Sequence, residues 1–445
     1  MLIKHLSLSF GLRITSAILA FVALMVIARL LGPEGVGIYA LVLSFTQIAA
    51  MASRLGIDTI LMRDVARDKD RPELVSLRYQ SVDIIYKKSV CLVICLGIFV
   101  AFLCDVIYEI EGLGVLMSIM MLSVAPIAFM YLNTETLKGL KKTSSAILIS
   151  EVLPYCFLIL GLFLLVPVIG IFATSICFLI AYFAAYVVSK YAIVKSYFRN
   201  YGSLNQVKGD SLYGWPFIKE GFPVLLVNIL ELMLLAIGPF LLAYYFSESE
   251  VGAFRVAARI AMLTSFVMFA VNAVGAPRFS RIYKLSNRDE LEKSAAQISI
   301  LACAMAAPIF FIFIVFPEVL MSVFGDFFAK ASSVLVIIAI GQLFYVLGGP
   351  VAPLLLMTGN AVALRNIYLV TFVVCIFTNA VLVPQMGLIG AAVAIMISRV
   401  IQTFLSYWAV KRQLEINPFS GVLNISKDVL SGRVSVKNAL RENNI

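Results

Sequence analysis

Long apolar runs separated by short polar gaps fill the chain from Leu12 to Val410. A helix crosses a bilayer in about 20 mostly apolar residues at 1.5 Å each. Runs of that size predict twelve spans, at roughly 10–31, 37–57, 84–104, 112–133, 146–166, 168–189, 217–245, 251–276, 295–316, 331–357, 366–384 and 388–410. Three uncharged runs are too long for one helix each. Val152–Ser189 is expected to break at Pro167 and Gly170, Ala331–Leu364 at Gly348-Gly349-Pro350 and Pro353, and Asn366–Ser398 at Pro384 and Gly387. The first two spans meet at ARLLGPEGVGIY, where Gly32, Pro33, Gly35 and Gly37 turn the chain. The gaps leave no room for a sizeable soluble domain, so the pattern defines an all-α polytopic membrane protein.

Lys and Arg collect on the cytoplasmic side of membrane proteins. With the N-terminus inside, the inner segments become 1–9, 58–83, 134–145, 190–216, 277–294, 358–365 and 411–445. The outer loops then keep a single basic residue, Lys330, beside Glu34, Asp105, Glu109, Glu111, Glu248, Glu250, Glu318 and Asp326. The alternation holds at every loop, which places both termini in the cytoplasm.

A weak repeat divides the spans into halves. Val36-Gly37 in EGVGIYALV overlies Val251-Gly252 in SEVGAFRVAARIAML, 215 residues on. Leu165-Val166-Pro167 with Gly170 overlies Leu382-Val383-Pro384 with Gly387, 217 residues on. Six spans per half give both halves the same sense in the membrane, a parallel repeat of the transporter kind. The expected organisation is an N-terminal six-helix lobe over 1–194, a cytoplasmic linker over 195–216, a C-terminal six-helix lobe over 217–410 and a cytoplasmic tail over 411–445. The halves are expected to face each other across a cleft.

Charges inside spans cost about 2.5–3.5 kcal/mol each on insertion scales and need a reason. Arg13, Arg29, Arg54, Arg255, Arg259 and Arg399 lie in spans, against the acids Glu151 and Glu231. Arg255 and Arg259 are four apart, on one helix face, where two cations repel unless an anion neutralises both. They are candidates for holding a phosphate-bearing ligand, for which the guanidinium fork is suited. Snorkelling to the outer surface is the alternative for Arg255. Arg29, a turn before the Gly-Pro break, and Arg13, near the inner end, are further substrate-binding candidates that snorkelling would also explain. Arg54 precedes Asp58 by four residues and reads as an ion pair. Glu231 and Arg399 sit near mid-span with opposite signs. They are candidates for coupling to H+ or Na+, or for a structural pair, or Glu231 bonds Asn228 and its neighbours instead.

Composition narrows the function. Hydrophobic residues make up 62% of the chain and charged ones 13%, so the net charge of +10 points to anionic lipid headgroups and not to nucleic acid. The seven cysteines have no metal-ligand spacing with histidine and read as small buried hydrophobes; no metal site or cofactor is expected. His5, the single histidine, precedes the first span, which excludes histidine chemistry within the membrane. No cleavable leader is apparent, so span 1 is expected to stay as an anchor. No GxxxxGK[ST] loop, HExxH, EF-hand or nucleophile elbow is present, and no enzyme activity is expected.

With ARLLGPEGVGIY after span 1, GIDTILMRDVAR over Gly56–Arg67, AARI in span 8 followed by GAPRFSRIY, and the repeat, the chain resembles the polysaccharide (O-antigen, Wzx-type) flippases of the MATE-like superfamily. That resemblance implies two pseudo-symmetric six-helix lobes. It also implies alternating-access transfer of an undecaprenyl-pyrophosphate-linked oligosaccharide from the inner to the outer leaflet of a bacterial plasma membrane. Membrane lipids and the polysaccharide polymerase machinery are the further partners it suggests. The related lipid II flippases have a cationic cavity whose span 8 arginine falls on Arg259; their span 1 arginines have no counterpart at the same spacing here, which weakens the case for Arg13, and they have fourteen spans. Two other readings stay open. A cation-coupled multidrug exporter of the same fold would want acids in the cleft, and in-span arginines outnumber acids here. A membrane polymerase or glycosyltransferase would place a long outer loop with acids and histidine, and the outer gaps are short.

Overall fold

The computed structural model describes residues 2–201, 215–285 and 288–416. Most of the expected linker and tail therefore lies outside the described residues. The described residues are helical, with no strand among them, and divide into two compact units, Met1–Arg255 and Val256–Ile445.

In the first unit, α1 (Leu2–Ser53) carries a break at Gly32, whose φ of 71° and ψ of −172° leave helical space and favour glycine. Next come α2 (Ile57–Arg67), α3 (Pro72–Tyr108), α4 (Leu113–Leu122), α5 (Val124–Gly139) and α6 (Thr143–Ile147). A π-turn at Leu148–Val152 leads into α7 (Leu153–Ile169), followed by α8 (Phe172–Tyr201), α9 (Trp215–Tyr245) and α10 (Glu248–Ala261), which crosses into the second unit. Helix α8 runs through residues 195–201, so the linker assigned to 195–216 begins as helix.

The short helix α2 buries Ile57, Ile60, Leu61 and Val65, one apolar face at helical spacing. That face packs on Val75, Tyr79, Val82, Tyr86 and Val90 of α3, Ala128 and Leu132 of α5, and Phe217 of α9. Farther along, α3 exposes Leu92, Leu96, Phe99, Phe102 and Val106, and α7 exposes Leu160, Phe163, Leu164 and Val168. Water would not tolerate such a surface, whereas lipid tails are its natural solvent.

The second unit contains α11 (Ser265–Lys284), α12 (Arg288–Val315), α13 (Pro317–Ser322), α14 (Asp326–Ala329), α15 (Ser332–Leu347), α16 (Val351–Met357) and α17 (Ala361–Leu414). A 3-10 turn at Met262–Thr264 precedes α11. Helix α15 packs on α17 and α12, and α16 seats on α11 and α17. The chain breaks between α15 and α16 at Gly348-Gly349-Pro350, as its sequence implies.

Ten helical segments among the described residues are long and apolar enough to span a membrane. Two of them, Leu8–Ser53 and Val362–Leu414, have 46 and 53 residues. At 1.5 Å per residue these are about 69 and 80 Å long, more than twice the hydrocarbon thickness. Each contains a non-helical glycine, Gly32 and Gly387, and a count of twelve requires the chain to turn at both. The repeat has a conformational counterpart: Gly170 (φ 58°, ψ −135°) and Gly387 (φ 54°, ψ −129°) leave the helix in nearly the same way.

Candidate functional site

Arg13, Glu151, Arg54 and Asp58 of the first unit, with Glu135 and Lys138, form a self-neutralised seam. Arg13 on α1 meets Glu151 of the π-turn at 3.8 Å, both side chains about a third exposed. Ser16, one turn on, donates to the Glu151 carbonyl at 2.8 Å and pins the two segments together. Tyr131 on α5 lies within electrostatic reach of Glu151, and Arg54 stacks over its ring at 4.1 Å. Arg54 Nη1 donates to Asp58 Oδ2 at 2.8 Å, the i,i+4 pair that the sequence implies, and both residues are buried. Burial opposes the Arg54 charge, and the nearby Asp58 and Glu135 carboxylates favour it. Glu135 closes the seam with Lys138 at 2.6 Å. Each of the three cations thus has a carboxylate.

Beside the seam, Tyr79 donates to Asn133 at 2.7 Å and Asn133 to Ser189 at 2.8 Å, joining α3, α5 and α8. Arg78 at the start of α3 bridges Asp64 at 2.5 Å and Asp68 at 2.6 Å, while Arg63 reaches Asp64 at 3.2 Å and Glu220 at 3.0 Å. This charge knot fastens α2 to α3 and α9. Sequence reasoning missed it because its partners are not helical neighbours. The run of Asn133, Thr134, Glu135 and Thr136 at the end of an apolar span is the signal for the Tyr79–Asn133–Ser189 joint and not for the knot.

The other candidates differ. Arg29 is exposed, just before the break at Gly32. On α10, residues 251–254, 256, 257, 260 and 261 are buried, whereas Arg255, Ala258 and Arg259 are half-buried, so both arginines lie on the one open face of that helix. Arg259 makes no hydrogen bond or ion pair among the described residues. Glu231 on α9 is exposed and makes no ion pair among them either. Arg399, on the second half of α17, is 9% exposed. It donates to Gln402 Oε1 at 2.9 Å and lies 5.2 Å from the Tyr345 ring centre. Arg259 and Arg399 therefore remain without a carboxylate among the described residues, while Arg13 already has one that a ligand must displace.

No group of three or more His, Cys, Asp or Glu side chains suited to a metal ion occurs among the described residues. An all-helical membrane protein with arginines inside its spans and short connecting segments has the architecture of a transporter. The chain belongs to the polysaccharide biosynthesis protein family, whose model matches residues 2–283. The MatE family model also matches, over residues 223–381. The capsular polysaccharide biosynthesis protein CapF of Staphylococcus aureus is 24% identical over 426 residues, 92% of this chain and 100% of CapF. The probable low-salt glycan biosynthesis flippase Agl15 of Haloferax volcanii is 28% identical over 169 residues, 37% of this chain and 35% of Agl15. Among solved structures, the lipid II flippase MurJ in an inward closed conformation superposes with a TM-score of 0.74 at 16% identity, covering 95% of this chain and 90% of MurJ. The fold is thus that of the MATE-like superfamily.

Proposed function

We propose that the protein is a flippase that moves an undecaprenyl-pyrophosphate-linked oligosaccharide repeat unit from the cytoplasmic to the outer leaflet of the plasma membrane. Alternating access is the mechanism: the polar head crosses in a water-lined path while the prenyl tail stays in lipid. The observation that carries this reading is Arg259, half-buried on the open face of α10 with no carboxylate among the described residues. A guanidinium in a membrane span is stabilised by an oxyanion that arrives with the substrate. Arg255, one turn away on the same face, extends the cationic surface to the length of a pyrophosphate. Arg29 and Arg13 are secondary contacts in this reading. The family membership and the CapF and Agl15 relatives support a glycan cargo. The lobes 1–194 and 217–410, both termini in the cytoplasm and a handover to the polymerase machinery belong to the same proposal.

Deleting the gene is expected to make lipid-linked glycan accumulate on the inner leaflet. Restoring the gene with Arg259→Ala should leave the accumulation in place, whereas Arg259→Lys should relieve it in part. Full export by both variants would remove the charge role. Glu231 is the proposed coupling group for H+ or Na+. Glu231→Gln is expected to make transport indifferent to the ion gradient; transport that keeps its gradient dependence defeats that assignment.

A cation-coupled multidrug exporter is the second reading, favoured by the MatE match. Cationic drugs need carboxylates, and those of the first-unit seam are already paired with Arg or Lys. Efflux of a cationic dye that depends on this gene, with unchanged lipid-linked glycans, would favour it.

A further inference from the structure

Lys87 and Lys88 on α3 and Lys190 and Lys195 on α8 stand where these helices leave the apolar layer, on the side that charge alternation assigns to the cytoplasm. All are exposed. The bonds from Tyr79 to Asn133 and from Asn133 to Ser189 fix the two helices through α5. Lys190, next to Ser189, donates to the Tyr79 hydroxyl at 3.3 Å and lies 5.4 Å from the centre of that ring. Lys87 is within electrostatic reach of Tyr186, one turn before Lys190. Lys87 and Lys190 thus belong to one surface built from α3 and α8.

Their partners set these lysines apart from other cations of the first unit. Arg54, Arg63, Arg78 and Lys138 each have a carboxylate. Lys87 also has one, Asp83 at 2.7 Å, and the two charges cancel. Lys190 has the neutral Tyr79, Lys195 lies 5.7 Å from the Tyr191 ring, and Lys88 makes no ion pair among the described residues. These three charges have no counterion there.

The neighbours of the lysines towards the membrane interior are apolar. Phe183, Val187 and Lys190 fall on one stripe of α8 at i, i+4 and i+7, and Leu92 lies one turn above Lys88 on α3. Phe183, Val187 and Leu92 are each at least 50% exposed. Phe183, Tyr186 and Phe129 form a row of rings with centres 6.4 and 6.2 Å apart. Uncompensated cations at the interface with bare apolar and aromatic side chains above them match an amphiphile with an anionic head. A soluble anion would use the cationic end alone.

We propose that this face of α3 and α8 binds an anionic phospholipid of the inner leaflet. The phosphate diester sits beside Lys190, Lys88 and Lys195 add to the attraction, and an acyl chain lies along Val187 and Phe183. Tyr79 is a positioning residue that holds the Lys190 ammonium at the interface. Bound lipid reinforces, from the membrane side, the joint that buried Asn133 makes inside. The proposal does not depend on what the protein transports.

The test places the full-length protein in phosphatidylcholine nanodiscs with a phosphatidylglycerol that carries a photoactivatable group on one acyl chain. Labelled peptides are located by mass spectrometry. Labelling is expected to centre on residues 183–191 and 88–96, and to fall with excess unlabelled phosphatidylglycerol but not with added phosphatidylcholine. Lys190→Gln should reduce it by about fivefold, the attraction that one lysine exerts at an anionic surface. Lys88→Gln/Lys190→Gln should reduce it further, and Lys190→Arg should preserve it. Lys141→Gln/Lys142→Gln, which changes two exposed lysines after α5, should leave it unchanged. Labelling spread evenly over the apolar belt, equal competition by phosphatidylcholine, or equal losses from the Lys141/Lys142 and Lys88/Lys190 changes overturns the proposal. So does displacement by inorganic phosphate, since the lysines would then hold a soluble anion. Glycan export is scored separately, so failure of the lipid site leaves the flippase reading standing, and the reverse.

Discussion

Adding one methyl group at Gly37 or at Gly252 is expected to destabilise the first unit more than any other single-atom change. A Cβ on Gly37 would lie 1.8 Å from the Glu248 carbonyl oxygen, and a Cβ on Gly252 would lie 2.1 Å from the Pro33 carbonyl oxygen. Each would also come within 3.1 Å of the other glycine's backbone nitrogen. Pro33 precedes Gly37 by four residues, as Glu248 precedes Gly252, so the contact is reciprocal. Two copies of one short motif meet, and each offers a carbonyl where the other would carry a side chain. The obstacle in both cases is backbone, which cannot swing aside. Overpacking typically costs about 1–3 kcal/mol even where side chains adjust, and the helix-propensity gain of alanine over glycine, about 1 kcal/mol, does not offset it. Gly37→Ala and Gly252→Ala should each lower the midpoint of thermal unfolding in detergent. Gly37→Ala/Gly252→Ala should lower it by clearly less than the sum, because the first methyl already parts the helices that the second would part. Additive losses would mean that the two methyls do not compete for one space.

The motif behind that contact was legible in the sequence; the contact itself was not. Glycine breaks are local events, so Gly170, Gly349 and Gly387 announce themselves beside prolines within uncharged runs too long for one helix, and Gly32 beside Pro33 between two apolar runs. Their φ angles of 71°, 58°, 71° and 54° are the reason for glycine there. The Arg54–Asp58 pair is legible for the same reason, since i,i+4 spacing brings the two side chains together on any helical path. Long-range partners leave no such trace. Arg13 reads as a snorkelling cation or a ligand contact until α1 and the π-turn are packed together and Glu151 arrives at 3.8 Å. Glu135 reads as part of an inner loop, but α5 extends to Gly139 and buries it. Arg399 reads as a mid-span cation of open role, and only packing shows its hydrogen bond to Gln402 one turn on. Periodicity and charge alternation gave the elements and their order; which charges neutralise one another was decided by packing.

Breaking the Arg54–Asp58 pair is expected to have an effect at least as large, and an asymmetric one. Removing one partner of a buried ion pair strands the other, at about 3–5 kcal/mol. Asp58→Ala leaves Arg54 over the Tyr131 ring at 4.1 Å and within reach of Glu135, which soften the loss. Arg54→Ala leaves the Asp58 and Glu135 carboxylates repelling each other, with Lys138 as the remaining cation beside Glu135 among the described residues, and it also removes the stack on Tyr131. Arg54→Ala should therefore lower the midpoint of thermal unfolding further than Asp58→Ala. Asp58→Asn, which keeps an oxygen for Arg54 Nη1, should cost least among the single changes. Replacing both with apolar residues of similar volume, Arg54→Met/Asp58→Leu, should cost less than either alanine variant, because neither charge is then buried alone. Equal losses from the two alanine variants would show that Arg54 neutralises Asp58 only and that Glu135 takes no part in holding its charge.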